Sequence, residues 1–253
     1  MTISSRHLVL IPSYDTGPRL ERTVAEAREV WSPVWVVVDG STDGSEAPLL
    51  ARAKDDPDLR VEVLPTNRGK GAAILHGLKL AHAEGFTHAL TMDADGQHPA
   101  AAIAGFMAAS IANPEAMILG VPDFGPEAPA LRVKGRRVSN WWTGLETQGA
   151  IEDSLFGFRV YPILPLLRIM VRVRWMRRYD FDAEAAVRLC WAGVPAVNLR
   201  TPVVYLSSEE GGVSHFRYVR DNVLLTWMHL RLVTEAGLRA LSRDRPAAVP
   251  APR

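Results

Sequence analysis

Five short runs rich in β-branched residues punctuate the first half of the chain: "HLVLI" (7–11), "VWVVV" (34–38), "RVEVL" (60–64), "HALTM" (88–92) and "AMILGV" (116–121). Each is bounded by turn residues and reads as a buried strand. Between the first two, Leu20, Val24, Ala27 and Trp31 recur at helical spacing; between the third and fourth, Ile74, Leu75, Leu78 and Ala81 do the same. This alternation predicts an α/β fold, a mostly parallel central sheet flanked by helices, with ligands bound beyond the carboxyl ends of the strands.

A chain of 253 residues, 47% of them hydrophobic, can close one domain around a proper core. That domain is expected over residues 1–242, with a nucleotide-binding half to about 120 and an acceptor half beyond it. The Pro/Ala-rich end "RDRPAAVPAPR" (243–253) is expected to be a disordered tail. Lys and Arg (29) nearly cancel Asp and Glu (28), so net charge gives no reason to expect a nucleic-acid partner. The single cysteine, Cys190, cannot form an internal disulfide, which suits the cytoplasm. The first apolar run is too short for a signal peptide, and no stretch reaches the roughly 18 apolar residues of a spanning helix.

Beyond residue 120 the pattern loosens. "VPDFGPEAPA" (121–130) reads as a loop, "RVKGRRVSNWW" (132–142) as a basic helix or loop, "YDFDAEAAVRLCWAG" (179–193) as an acid-capped helix ending at Gly193, and "AVNLRTPVVYL" (196–206) as a strand.

Three carboxylate-bearing turns follow three of the strands: "PSYD" (12–15), "DGSTDGS" (39–45) and "DADGQH" (93–98). The first lacks the GxGxxG spacing of a dinucleotide fold, and Pro12 removes an amide that phosphates would use. In the third, an extended chain would put Asp93, Asp95 and Gln97 on one side, three hard oxygen donors suited to Mg2+ or Mn2+. An EF-hand is excluded, because glycine falls fourth rather than sixth and position twelve is Ala104. The competing account is that the two aspartates only cap the helix starting near Pro99. Asp39 is expected to accept from a nucleoside's ribose or base, against an ordinary Asx turn. In "NRGKGAA" (67–73), Arg68 and Lys70 stand between glycines at a helix start, where amides and cations can meet a diphosphate. Together these describe a nucleotide-diphosphate site.

"VLIPSYD", "VVVDGSTDGS", "NRGKGAAILHGLKLA" and "LTMDADGQHP" resemble, in order and spacing, the family 2 glycosyltransferases with the GT-A fold, especially polyprenyl-phosphate sugar synthases of the dolichyl-phosphate mannosyltransferase type. More loosely, "EDSLFGFRVYP" (152–162) is similar to a segment facing the acceptor phosphate, residues 179–193 to an acceptor-side helix, and "GGVSHF" (211–216) to a closing loop. The resemblance implies that Pro12, Tyr14, Asp15 and Asp39 hold the nucleoside, that Lys70 lies near the diphosphate with Asp93, that Asp93, Asp95 and Gln97 hold the metal, and that Ser154 and Arg159 meet the acceptor. It departs from the family at Val38, where a paired aspartate is common, and at the two residues inserted between Ser154 and Gly157.

The activity implied is inverting, metal-dependent transfer of a sugar from a nucleotide-diphosphate sugar to a lipid-linked acceptor, a polyprenyl phosphate or a glycolipid hydroxyl. A hydroxyl needs a base to take its proton and a phosphate does not. Asp182, Glu184 and His215 are the candidates, with helix-dipole capping as the rival account of the two acids. "RIMVRVRWMRR" (168–178) and residues 216–241 mix Arg with Trp and Leu, the composition of helices at an anionic lipid surface. Peripheral attachment at the inner face of the cell membrane is the corresponding expectation. The alternatives are a sugar-phosphate nucleotidyltransferase, whose usual glycine-rich first loop is missing, and a non-catalytic nucleotide-sugar binding module.

Overall fold

The computed structural model describes residues 2–3, 6–124, 130–203 and 218–242. His215 and the 243–253 tail lie outside the described residues. In chain order the elements are β1 (Thr2–Ile3), β2 (His7–Ser13), α1 (Arg19–Val30), β3 (Trp31–Ser32), β4 (Val34–Asp39), α2 (Ala47–Arg52), β5 (Leu59–Leu64), α3 (Lys70–Ala83) and β6 (His88–Thr91). A 3-10 turn at Ala100–Ala102 leads into α4 (Ile103–Ala112), followed by β7 (Met117–Asp123), α5 (Ala130–Thr147), β8 (Arg159–Pro162), α6 (Ile163–Arg172), α7 (Phe181–Trp191), β9 (Ala196–Pro202) and α8 (Tyr218–Ser242).

Seven strands form one sheet in the order β5-β4-β2-β6-β8-β7-β9, while β1 and β3 pair separately. β8 runs antiparallel to both neighbours; every other pairing is parallel. All five strands expected from the β-branched runs are present.

The apolar runs are continuous because both faces of the sheet are covered. Strand alternation divides the core in two. Leu8, Leu10, Trp35 and Val37 pack with Ala73, Ile74 and Leu78 of α3 and Phe181 of α7. Val9, Ile11, Val36 and Val38 pack on the other face with Leu20 and Val24 of α1 and Ile103, Phe106 and Met107 of α4. Fully burying each such aliphatic side chain contributes about 1.5–3 kcal/mol.

The second half is tied in by polar groups. α6 stops at Arg172, where Val173 turns extended, and Arg177 donates to the carbonyls of Met170 (2.8 Å) and Val173 (3.3 Å). α7 ends as its sequence predicts, with Gly193 at φ +83 and Val194 N–H donating to Leu189 O. On α8, Arg231 grips Glu184 of α7 with two bonds of 2.7 and 2.6 Å.

Candidate active site

The carboxyl ends of β2, β4 and β6 lie side by side, and the turns after β2 and β4 are joined to each other. Asp15, at φ +42, accepts the Thr42 N–H at 2.7 Å, and its own N–H donates to Ser41 Oγ at 3.0 Å. Asp43 Oδ2 accepts the Gly17 N–H at 2.7 Å. The Asp39 side chain is buried and accepts N–H bonds from Arg68 (3.0 and 3.1 Å) and Gly69 (2.6 Å). Asp15 and Asp39 therefore shape the loops at the carboxyl edge of the sheet. Pro12 lies inside β2, and Tyr14, half-buried, stands in the turn after it.

Gly69, at φ +99, begins α3 and delivers Lys70 to the centre of the site. The Lys70 ammonium lies 2.6 Å from Asp93 Oδ1 and 2.7 Å from Asp182 Oδ2, linking the ends of β6 and α7. Burial alone would lower its pKa, but the Asp182 and Asp93 carboxylates outweigh burial and hold it above the usual lysine value. For Asp93, burial works upward, yet Lys70 and then His98 keep the carboxyl below its ordinary range.

His98 was not singled out from the sequence. It is buried, packs edge-on against Phe156 at 4.7 Å, and accepts the Asp93 N–H on Nδ1 at 2.9 Å. That bond leaves the ring proton on Nε2, 3.7 Å from Asp93 Oδ2. Burial pushes the imidazole down to about 4, so it is neutral and orients Asp93 as a dipole.

Residues 94–96 turn rather than continuing extended, so strand alternation does not set the placement of Asp95 and Gln97. Asp95 Oδ1 accepts the Gln97 N–H at 3.0 Å. Gly96, at φ +74, rests against the Arg19 guanidinium, whose Nε is buried without a hydrogen-bond partner. No three His, Cys, Asp or Glu side chains form a metal cluster among the described residues. Two carboxylates and one amide remain the donor set in this turn.

Asp182 and Glu184 separate. Asp182 joins Lys70, and its Oδ1 is buried without a hydrogen-bond partner. Glu184 is fully buried and bonded to Arg188 (2.7 Å) and Arg231, away from Lys70's partners. Arg159 is also fully buried: it donates to the carbonyls of Phe156, Asp153 and Asp182 and to the Tyr161 hydroxyl. Ser154 is fully buried against Ser139 (3.0 Å) and Asn140 (2.8 Å). Direct contact of either residue with an acceptor is not what this geometry offers; both instead fix the segment that ends at Gly157. Asp153 completes that support by accepting from Arg136 and from the N–H groups of Leu155 and Phe156. A β-carbon added to Gly157 would fall 2.6 Å from Lys70 Nζ and within about 3 Å of Asp93 and Asp182. The sequence signal for this packing was the "GFR" string.

A mostly parallel seven-stranded sheet with one reversed strand, flanked by helices, is the architecture of GT-A glycosyltransferases. Glucosyl-3-phosphoglycerate synthase from Mycobacterium tuberculosis, solved with Mn2+, UDP and glucosyl-3-phosphoglycerate, superposes with a TM-score of 0.63 over 91% of this chain and 79% of its own, at 13% identity. A mannosyltransferase from Pyrobaculum calidifontis, in complex with GDP-Man and Mn2+, gives 0.60 over 94% of this chain and 64% of its own, at 20% identity. At those identities the likeness is one of fold.

The family model described as glycosyl transferase family 2 matches residues 8–174, and the chain belongs to that family. It is 25% identical over 221 residues to an undecaprenyl-phosphate mannosyltransferase of Micrococcus luteus, covering 81% of this chain and 86% of that protein. It is 28% identical over 229 residues to a polyprenol monophosphomannose synthase of Mycolicibacterium smegmatis, covering 82% and 80%. The chain is a glycosyltransferase, and the nucleotidyltransferase and binding-module alternatives fall away.

Proposed function

We propose that the protein transfers a sugar, with inversion, from a nucleotide-diphosphate sugar to a polyprenyl phosphate. The observation that carries this reading is the Lys70 ammonium held between Asp93 and Asp182 where the donor turns meet. The names of the two bacterial relatives support the acceptor class.

In the reaction an acceptor phosphate oxygen attacks the anomeric carbon while the bond from that carbon to the diphosphate breaks, its electron pair leaving with the diphosphate oxygen. Lys70 supplies positive charge to that oxygen from a preorganised position. The Asp15–Thr42 and Asp39–Arg68 bonds tie the nucleoside-side loops in place before the donor arrives. Pro12, Tyr14 and Asp15 are assigned to the nucleoside, and Arg68 to the diphosphate beside Lys70. Asp39 acts through the loop amides it holds.

The residues of the DxD turn fit a divalent cation. Asp93 and Asp95 are hard donors with Gln97 beside them, and the Asp93 side chain is 31% exposed, leaving room for diphosphate oxygens to complete the coordination of Mg2+ or Mn2+. When bound, such an ion supplies Lewis-acid stabilisation to the departing diphosphate. A phosphate nucleophile carries no proton to be removed, so Asp182 serves to position Lys70. With a hydroxyl acceptor Asp182, rather than Glu184, would be the base.

Working on a lipid acceptor, the enzyme would attach peripherally at the cytoplasmic leaflet; no helix among the described residues is long and apolar enough to cross a membrane. The test is incubation of purified protein with Mn2+, polyprenyl phosphate and a panel of nucleotide sugars. The expected products are nucleoside diphosphate and glycosyl polyprenyl phosphate in equal amounts. Nucleotide release without a glycolipid overturns the acceptor, and no release from any donor overturns the reading.

A further inference from the structure

Three arginines are buried among the described residues, Arg19, Arg28 and Arg159. Arg28 grips Asp56 with two bonds of 2.8 Å, and Arg159 donates to three carbonyls and the Tyr161 hydroxyl. Arg19, 8% exposed, has no such support: no acid pairs with it among the described residues, and its Nε is buried without a hydrogen-bond partner. It also opens α1, at the end where the helix dipole disfavours a cation. A guanidinium that is buried, unpaired and at the wrong end of a helix weakens the fold by itself. The reason for its placement lies in what it touches.

Arg19 lies against the turn that carries Asp93, Asp95 and Gln97. A β-carbon added to Gly96 would collide with Nε and a terminal nitrogen of Arg19, so the guanidinium occupies the place of a side chain at residue 96. One turn further along α1, Thr23 is fully buried and donates from Oγ1 to Ala94 O at 3.1 Å. Arg19 and Thr23, four residues apart, share one face of α1, and that face seats residues 94 and 96. Asp95 folds over Gly96 to accept the Gln97 N–H. The Arg19 charge is therefore held against the residue that joins Asp95 to Gln97. Lys70 already answers Asp93 and Asp182. Around the turn the carboxylates of Asp93, Asp95 and Asp182 stand against two cations, Lys70 and Arg19.

We propose that Arg19 is a positioning residue of the metal turn. It is a built-in counter-charge that keeps residues 93–97 seated on α1 and opposes a bare divalent cation, so that Mg2+ or Mn2+ is held firmly only together with the donor diphosphate. The inference rests on the reading of this turn as the cation site. Coulomb repulsion in a partly desolvated site works against the ion, and the negative oxygens of a diphosphate offset it. A side chain that merely filled space beside Gly96 would serve equally well without its charge, and that difference can be measured.

The test titrates Mn2+ into the full chain, alone and then with GDP and with UDP, and reads the free ion by electron paramagnetic resonance. Arg19→Met keeps much of the side chain's length and removes its charge, whereas Arg19→Lys keeps the charge. Wild type and Arg19→Lys are expected to bind Mn2+ weakly alone and more tightly with a diphosphate. Arg19→Met is expected to bind the ion alone about tenfold more tightly than wild type. Its urea midpoint is expected to be no lower than that of wild type, because an unpaired buried charge has been removed. Equal affinity for Mn2+ alone in wild type and Arg19→Met overturns the role of Arg19 and leaves the cation site standing. A lower urea midpoint with weaker ion binding in Arg19→Met would make Arg19 a structural support, and overturns the counter-charge. Absence of Mn2+ binding in all three proteins, with or without diphosphate, overturns the inference and the metal reading together. Binding of Mn2+ alone by Arg19→Met but not by wild type supports the counter-charge.

Discussion

Gly157 brings its α-carbon so near Lys70 that a β-carbon there would lie 2.6 Å from the ammonium nitrogen. The two residues come from opposite halves of the chain, and the reversed strand β8 follows Gly157 by one residue. Thr91 Oγ1, at the end of β6, fixes the approach by donating to Gly157 O at 2.8 Å. The antiparallel strand thus delivers a backbone without a side chain to the centre of the acid–lysine cluster.

Gly157→Ala must displace Lys70, Asp93 or Asp182. A shift on the order of 1 Å in a positioning group costs about 10²-fold in rate, and relief of the overlap costs about 1–3 kcal/mol in stability. Steady-state turnover and a denaturant melt measure the two. An alanine variant with wild-type turnover would mean that the Lys70 position is irrelevant to the reaction.

Asp182 and Glu184 are expected to fail in different ways. Asp182→Asn removes one of the two carboxylates beside Lys70 and is expected to lower turnover by about 10²-fold, at temperatures where the variant remains folded. Glu184→Gln leaves Arg231 with a neutral partner and Arg188 with Glu235 alone, a change expected to cost about 3 kcal/mol of stability, while turnover below the melting temperature persists. The comparison needs only a thermal melt and a rate for each variant. The reverse assignment, a stable but inactive Glu184→Gln, would move the chemistry to the α7–α8 interface.

How far the site could be read in advance follows from the same residues. The five strands were legible because "VWVVV" and its counterparts are covered on both faces, and composition alone carries that signal. β8 was not legible: "RVYP" is four residues ending in proline, and its place between β6 and β7 is set by pairings about 70 and 40 residues distant. Lys70 and Asp93 stood out because turns at strand ends concentrate function. Asp182 could not be separated from Glu184, since two positions apart on a helix is about 200° of rotation, and of the two arginines that claim Glu184 only Arg188 is local, Arg231 lying 47 residues away. Asp39 and Arg159 have the residue types of ligand-binding groups, yet Asp39 spends its hydrogen bonds on backbone amides and Arg159 on three carbonyls and the Tyr161 hydroxyl. Only the tertiary arrangement reveals that.

Acid should destabilise the fold from the end of the sheet opposite the site. His7 and His88 are cross-strand partners on β2 and β6, stacked at 4.4 Å and buried. Burial, the His88 ring and Arg6 together push His7 from 6.5 to about 4; burial also lowers His88, against the Pro114 carbonyl and Glu115. A histidine whose folded pKa lies below its unfolded value stabilises the fold only while neutral. The His7 contribution is complete above pH 6.5, declines as pH falls through that value, and is gone near 4. It is on the order of 3 kcal/mol. Urea melts across this window should show the decline, and His7→Phe, which keeps a stacking ring and cannot protonate, should flatten it. A wild-type profile already flat between these limits would contradict the assignment.

Asp95→Ala separates the cation from the fold. Its Oδ1 accepts a local bond from the Gln97 N–H, and losing such a bond is expected to cost about 1 kcal/mol of stability. If Asp95 holds the ion beside Asp93, removing its carboxylate leaves one acid and one amide, too few hard donors to retain Mg2+ or Mn2+ at the turn. Ligand binding to the native state raises the melting temperature in proportion to occupancy. Wild type with nucleoside diphosphate should therefore melt higher when Mn2+ is added, and the variant should not. Lys70 remains in place in the variant, so weak, metal-independent binding of the diphosphate should survive. An Asp95→Ala protein with an intact Mn2+ shift and unchanged turnover would remove the turn's metal role and leave Lys70 as the charge that meets the leaving group.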